Sequence, residues 1–542
     1  ETEVKKTITN NVNELLLLAF ESGRSIKVTL NHPFYVNNTW VEAKDLIIGN
    51  EIYSILPSDK KIKSITKLTG NFTVYNFSCY PYENYFSNSL LSHNCSFCYW
   101  GRGGLSRKYK YHDMDRVFAE IDWMGKNKIE YVFNADSNFG MNSRDQEIAE
   151  YIVQTKKKYN FPEKFRTCFG KNTDEKIFKI GELLHNNDLE KGITLARQSN
   201  DEQTLKNIRR QNIKMETYRN LQEKFNDKNI PVYGELILGL PGETVETWKR
   251  GVDELLEAGT RNQLFIYLCQ VLTNTEMAED EYRKKFEIET RRIPLAEIHG
   301  GMRPNDWITE YEDIIVSTCS MNNEDWKKMV KFSYVLMLFH SLKISYFLMI
   351  FLLDKFQLKM SSFIEYVSDK KFKNKYNLIE VELLFFDSII DRMMNNENRG
   401  TYLHRYGDIY WDVEEASFLN LTKDTDSFYD EMLKLTLEYL EFNNKKLDTI
   451  EIQQLNEVIM YQKNRIPSQK QISNQAAISS VYFNWNFGEY FDTRFTNNSV
   501  PLIEKKEKVN FNLISFNDKK EFAKKTILWG RKSGTMLTKI DY

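Results

Sequence analysis

Near residue 94 the chain sets three reactive side chains in a row, His93, Asn94 and Cys95, with a second thiol at Cys98. An asparagine amide nitrogen can attack its own backbone carbonyl, closing a five-membered succinimide and cutting the chain after itself. A neighbouring histidine can polarise that carbonyl or protonate the leaving amine. A thiol directly after the cut can accept an acyl group once it is deprotonated. The Cys-x-x-Cys spacing of Cys95 and Cys98 separately suits metal ligation or redox work. Six cysteines in 542 residues do not make a disulfide framework, which points to a reducing, cytoplasmic setting. Further polar groups follow short apolar runs: Asp136 and Asn138 in NADSNFG, Gln198 and Ser199 near 200, and Glu235 opening ELILGLPGE.

The elements that must hold these groups are legible in outline. Residues 1–94 read as β: IKVT at 26–29 alternates, and Asn37-Asn38, Gly49-Asn50 and Gly70-Asn71 supply turn chemistry. From about residue 113 a helical period (Val117, Ile121, Met124) gives way to apolar runs at 131–133, 165–169, 192–196, 231–238 and 263–269. Runs at that spacing with helices between them predict parallel βα units, five in number, as an open or partial barrel. Helices are expected at 322–356 and 424–463 in an aromatic-rich tail without a clear motif.

Composition bounds the function. Lys and Arg total 74 against 76 Asp and Glu, a formal charge of -2 that argues against a mainly electrostatic nucleic-acid binder. The length favours several domains. LLLLAF at 15–20 is too short to span a bilayer. Residues 332–353 form the one membrane-like run, and a turn at 343–345 is expected to split it into two buried helices.

Residues 74–95 (VYNFSCYPYENYFSNSLLSHNC) resemble the C-terminal end of an intein of the Hint superfamily. Upstream, GRSIKVTLNHPFYV is similar to the intein Thr-x-x-His block at Thr29 and His32, and WVEAKDL at 40–46 followed by Gly49 is similar to the segment after it. The resemblance implies an all-β Hint module over 1–94. It also implies that Thr29 and His32 hold and protonate the upstream scissile bond, while His93, Asn94 and Cys95 work at the downstream one. The chain opens on Glu1, only 31 residues precede His32, and no cysteine precedes Cys79. A truncated intein or the C-terminal partner of a split intein is therefore expected, joined in trans to a complementary N-terminal half. Two positions depart from the family pattern: Asn76 stands for a common Asp, and Glu83 for a common His.

CSFCYWG at 95–101 resembles the last two-thirds of the Cys-x3-Cys-x2-Cys signature of radical S-adenosylmethionine (SAM) enzymes, with Phe97 as the usual aromatic. The first cysteine of that signature falls at Leu91, inside the intein-like segment. The resemblance implies a 4Fe–4S cluster with Cys95 and Cys98 as two of its ligands. It implies SAM contacts from Phe97, Asp136, Asn138, Gln198, Ser199 and Glu235. The stretch 95–300 is most similar to radical SAM proteins carrying a cobalamin domain, which would sit in the missing N-terminal part. The expected fold class is multidomain: an all-β Hint module, an α/β partial (β/α) barrel of radical SAM type lacking its first strand, and an α-rich extension over 301–542. The expected partners are the N-terminal half, an electron donor and a small-molecule substrate. The rival reading is a self-processing Hint module with a non-catalytic passenger. A zinc half-site is a weaker rival for Cys95 and Cys98, because Cys168, Cys269 and Cys319 are isolated and read as small core residues.

Overall fold

The computed structural model describes residues 3–21, 25–30, 33–36, 39–51, 61–80, 111–136, 139–169, 175–190, 192–273, 275–295, 297–301, 308–369 and 375–542. His32, His93, Asn94, Cys95, Phe97, Cys98 and Asn138 lie outside the described residues. The chain forms two compact units, Glu1–Ser92 and His93–Tyr542.

The first unit is β, as expected. Strand β1 (Glu3–Phe20) pairs antiparallel with β2 (Ser25–Val28) and with β5 (Ile62–Tyr80) in the order β2-β1-β5. A short hairpin joins β3 (Pro33–Val36) to β4 (Thr39–Glu42). Alternation buries Leu16 and Leu18 on one face of β1, where they meet Val28, Val36, Ala43, Leu46 and Ile62. Removing a Leu or Ile side chain from water contributes about 1.5–3 kcal/mol, so this small core is what holds the ribbon.

All five apolar runs of the second unit are parallel strands: β6 (Tyr131–Phe133), β7 (Lys164–Arg166), β8 (Ile193–Gln198), β9 (Val232–Leu238) and β10 (Gln263–Leu268). β6 pairs with β7, and the order β10-β9-β8 forms a second parallel group. β11 (Glu289–Pro294) and β12 (Tyr311–Ser317) follow as an antiparallel pair, and β12 bridges back to the end of β10 through Gln270 and Ile314.

β11 pairs with β12 across residues 300 and 301, and Leu236, Leu238 and Leu264 of the strands share one core with Trp326, Phe351 and Trp411 of the tail. The tail packs on the strands because their outer face is largely apolar and must be covered. One expectation is corrected. The helix expected at 424–463 is two helices, Thr425–Phe442 and Thr449–Arg465, because Asn444 turns left-handed at φ +56° and Asp448 caps the second. The tail also carries a three-stranded antiparallel sheet, Ala477–Trp485, Glu504–Leu513 and Lys539–Asp541. Of the three isolated cysteines only Cys269 is buried, whereas Cys319 is exposed in the turn at Thr318–Met321.

The apolar run at 332–353 breaks where expected. Helices spanning Asn323–Ser341 and Tyr346–Phe356 meet at 95°, and the apolar run from 332 to 352 is buried. No single described helix is long and apolar enough to cross a membrane.

Candidate functional site

Parallel register decides which strand residues share a face. Ala196, Glu235 and Phe265 stand side by side on β8, β9 and β10, and Ile237 pairs with Tyr267. By alternation Thr194, Tyr233, Glu235, Phe265 and Tyr267 lie on one face, while Leu195, Leu236, Leu238, Leu264 and Ile266 lie on the other. The second set packs into the apolar core. On β6 and β7, Tyr131 pairs with Lys164 and Phe133 with Arg166. The first face is the inner wall of a partial barrel. It is open, with Tyr131, Phe133 and Tyr267 each between 43% and 45% exposed.

The inner wall combines rings with charge. Tyr233 and Phe265 meet edge to face at 5.7 Å, and Phe265 and Tyr267 stack at 6.2 Å. The Arg166 guanidinium lies 4.6 Å from the Phe133 ring centre. Burial pushes the Tyr233 hydroxyl up to about 12, and the Glu235 carboxylate adds to the rise against the pull of Thr194 and Arg166. Tyr267 rises above the ordinary phenol range through burial, then through Glu235, Tyr233 and Asp412. Burial opposes the charge of Arg166, and the neighbouring Tyr233 and Tyr131 shift it the other way. Glu235 and Tyr267 have no hydrogen-bond partner among the described residues, so a carboxylate and a hydroxyl face the opening with unspent capacity.

The residues anticipated from sequence are distributed around this wall. Glu235 is mid-strand rather than at a strand end, because the apolar run carries β9 three residues further, to Leu238. Gln198 ends β8 in a left-handed conformation at φ +66°, just past a bulge that shifts its register to Leu236. Ser199 is 1% exposed, and its hydroxyl donates to Glu243 Oε2 at 2.5 Å. That side chain is spent inside the protein. Glu243 also accepts from Thr247 Oγ1 at 2.7 Å, which ties the end of β8 to helix Val245–Glu257. Burial raises the Glu243 carboxyl against these two donors. Gly242 before it sits at φ +103°, and an added Cβ would meet Asn207 Nδ2 at 2.5 Å, so this turn requires glycine. Asp136 is exposed beyond β6, beside the helix Ser143–Tyr159, where its charge is felt by Asp145. Thr29 is half-buried after β2, and the next carbonyl, Leu30, accepts from the Lys44 amide at 2.9 Å.

Sequence reasoning missed the groups that close the wall from the tail. Arg531, 3% exposed, donates to Glu415 Oε1 at 2.7 Å, to Glu414 Oε1 at 2.8 Å and to Gln263 Oε1 at 2.7 Å, and its guanidinium lies 4.8 Å from the Phe265 ring centre. His299 Nε2 lies 2.7 Å from Glu415 Oε2. Arg399 reaches Glu312 at 3.1 Å and Asp412 at 3.5 Å. Against the cost of burial, His299 and Arg531 hold the Glu415 carboxyl down at about 2. Burial raises Glu414, with Arg531 opposing. No local motif announces the Arg531 contacts, since its partners Glu414, Glu415 and Gln263 stand more than 100 residues away.

Residues 1–95 match the family model for the pretoxin HINT domain. The chain is 32% identical over 283 residues to the cobalamin-dependent radical SAM methyltransferase TokK of Streptomyces tokunonensis, covering 52% of this chain and 41% of that protein. It is 31% identical over 279 residues to the 2-(S-pantetheinyl)-carbapenam-3-carboxylate methyltransferase of Streptantibioticus cattleyicolor, covering 52% and 40%. The chain thus spans about two-fifths of the length of the curated relatives it matches. Among solved structures, the radical SAM methyltransferase TsrM of Kitasatospora setae is similar with 15% identity, a TM-score of 0.34, and 45% of this chain and 50% of that chain covered.

Proposed function

We propose that the two parts of the chain, a Hint-type segment and a segment similar to cobalamin-dependent radical SAM methyltransferases, act in succession. The Hint segment splices, in trans with a complementary N-terminal half, and the joined product is a radical SAM enzyme that methylates a small molecule with cobalamin. Splicing rests on His93, Asn94 and Cys95 at one junction and on Thr29 and His32 at the other. The observation that carries the enzymatic half is the open inner wall, where Glu235 and Tyr267 keep unspent hydrogen-bonding capacity between aromatic rings.

That wall fits SAM chemically, since SAM presents an ammonium, ribose hydroxyls and a flat purine. A 4Fe–4S cluster held in part by Cys95 and Cys98 would supply the electron for cleaving SAM. The chain's own residues bind and orient. Glu235 accepts from a donor on the ligand, Gln198 offers its amide at the end of β8, Asp136 and Asn138 contribute from the segment that follows β6 in sequence, and the Phe265–Tyr267 stack shields the reacting carbon from water. Tyr267 keeps its proton under these conditions and acts as a donor.

Glu235→Ala in the spliced, cluster-loaded protein is expected to weaken SAM about 10- to 100-fold, the range for losing a hydrogen bond to a charged group. Equilibrium dialysis with labelled SAM reads the loss, and unaltered affinity sinks the assignment of Glu235. Accumulation of a spliced product that binds neither SAM nor iron would favour the non-catalytic passenger instead.

A further inference from the structure

The sheet in the tail has one guarded edge and one bare edge. Its strands lie in the order Ala477–Trp485, Glu504–Leu513, Lys539–Asp541, so the first and last of them form the edges. The last strand has three residues and carries Lys539 and Asp541, the short length and charge that discourage further pairing. The first strand reads AISSVYFNW, nine residues without a charge or a proline. It is rich in the β-branched and aromatic types that suit strands.

The inner face of that strand is fixed. Phe483 and Trp485 are buried, Val481 packs against the same core, and the whole strand pairs antiparallel with Glu504–Leu513. Its outer face is open, with Ile478 69% and Tyr482 73% exposed on either side of Ser480. The Asn484 backbone and side-chain amides donate to Glu457 at 2.8 and 2.6 Å, which closes the edge at that end. Among the described residues no strand or bridge pairs with the outer edge of Ala477–Phe483. The core behind this edge already holds it in strand conformation, so an incoming strand meets a template that costs little to order.

The open edge is its own complement. We propose that Ala477–Phe483 pairs antiparallel with the same edge of a second copy of this chain, across a two-fold axis at Ser480. Ser480 is the midpoint of the open edge, so this register uses all of it. It sets Ile478 of each copy opposite Tyr482 of the other and the two Ser480 side chains opposite each other. Aromatic–β-branched and hydroxyl pairs of this kind stabilise antiparallel strands. On the inner face it sets Ser479 opposite Val481. No charge on the strand meets a like charge or has to leave water. The two sheets become one of six strands, and its outer edges are then the short, charged strands Lys539–Asp541, so growth stops at the dimer.

The test is sedimentation velocity of the full chain from about 1 to 100 µM, the range suited to a small interface of one strand edge per copy. The expected result is a monomer–dimer equilibrium. Ile478→Lys and Tyr482→Glu should each weaken the dimer about 3- to 30-fold, because each change spoils two cross-strand pairs. Both side chains are exposed, so the monomer should fold as before, and circular dichroism checks this. The double variant Ile478→Lys/Tyr482→Glu should regain the parent affinity, since each Lys then faces a Glu of the other copy. Within one copy the two positions lie about 13 Å apart along the strand, too far to pair. Amide exchange over residues 477–483 should slow as protein concentration rises. A monomer at every concentration overturns the proposal and leaves the edge to a strand of another protein. A dimer that ignores the single variants, a double variant no tighter than they are, or exchange at 477–483 that does not vary with concentration overturns it as well.

Discussion

Reconstituted anaerobically with iron and sulfide, the 542-residue chain is expected to show little of the broad visible absorption of a 4Fe–4S cluster and to release no 5′-deoxyadenosine from SAM. The reason is a shared residue. In the unspliced chain Leu91 stands four positions before Cys95, where the cluster signature needs a thiolate, and a leucine side chain cannot ligate iron. Two thiolates leave one of three iron sites without a protein ligand. Iron on Cys95 would also occupy the thiol that splicing needs as its nucleophile. On the proposed reading, ligation to an upstream segment that brings its own cysteine to the position four before Cys95 precedes cluster uptake. Adding the complementary half should restore both absorption and SAM cleavage, with the ligated product detectable on a gel before the absorption rises. Asn94→Ala should block cleavage at the junction and, with it, cluster assembly. Cys95→Ser can still splice slowly through its hydroxyl but should not hold the cluster. A full complement of iron and 5′-deoxyadenosine from the isolated chain would show that the order of events is wrong.

The second large effect is structural. Arg531→Met is expected to destabilise the larger unit by about 3–5 kcal/mol, the range for breaking a buried ion pair from one side. The change leaves Glu414 and Glu415, each no more than 1% exposed, without their shared cation, and it removes a donor from Gln263. Urea unfolding compared with the parent protein reads the loss. Neutralising all three positions together (Arg531→Met, Glu414→Gln, Glu415→Gln) should recover much of it, since no unpaired charge then remains buried. Equal loss in the single and triple variants would mean that packing, not charge, dominates there. The pH dependence has a definite sign. Glu415 is held below its unfolded value, so its contribution is fully present above the ordinary glutamate pKa. It fades as pH falls toward about 2. Acid unfolding of Glu415→Gln should therefore lose part of the slope between roughly pH 4.5 and 2.

What the sequence determined by itself is local. Five short apolar runs rich in Val, Ile, Leu and aromatic residues became five parallel strands, because period and breaker residues act over a few positions. The order of the intein-like blocks identified the first unit, and the break at Lys343 split the apolar run because one charged residue in a turn was enough to mark it. Tertiary structure decided the rest. Whether Glu235 ends its strand depended on how β9 registers against a bulged β8, and a bulge leaves no fixed signature in the residue types. That β11 found β12 across residue 300, and that the tail covered the outer face of the strands, was settled by packing. Arg531 lies 268 residues from Gln263 and 116 from Glu415. A charge so placed reads as solvated surface until packing removes the water around it. Burial and pairing then follow from which elements touch, which the residue types alone do not specify.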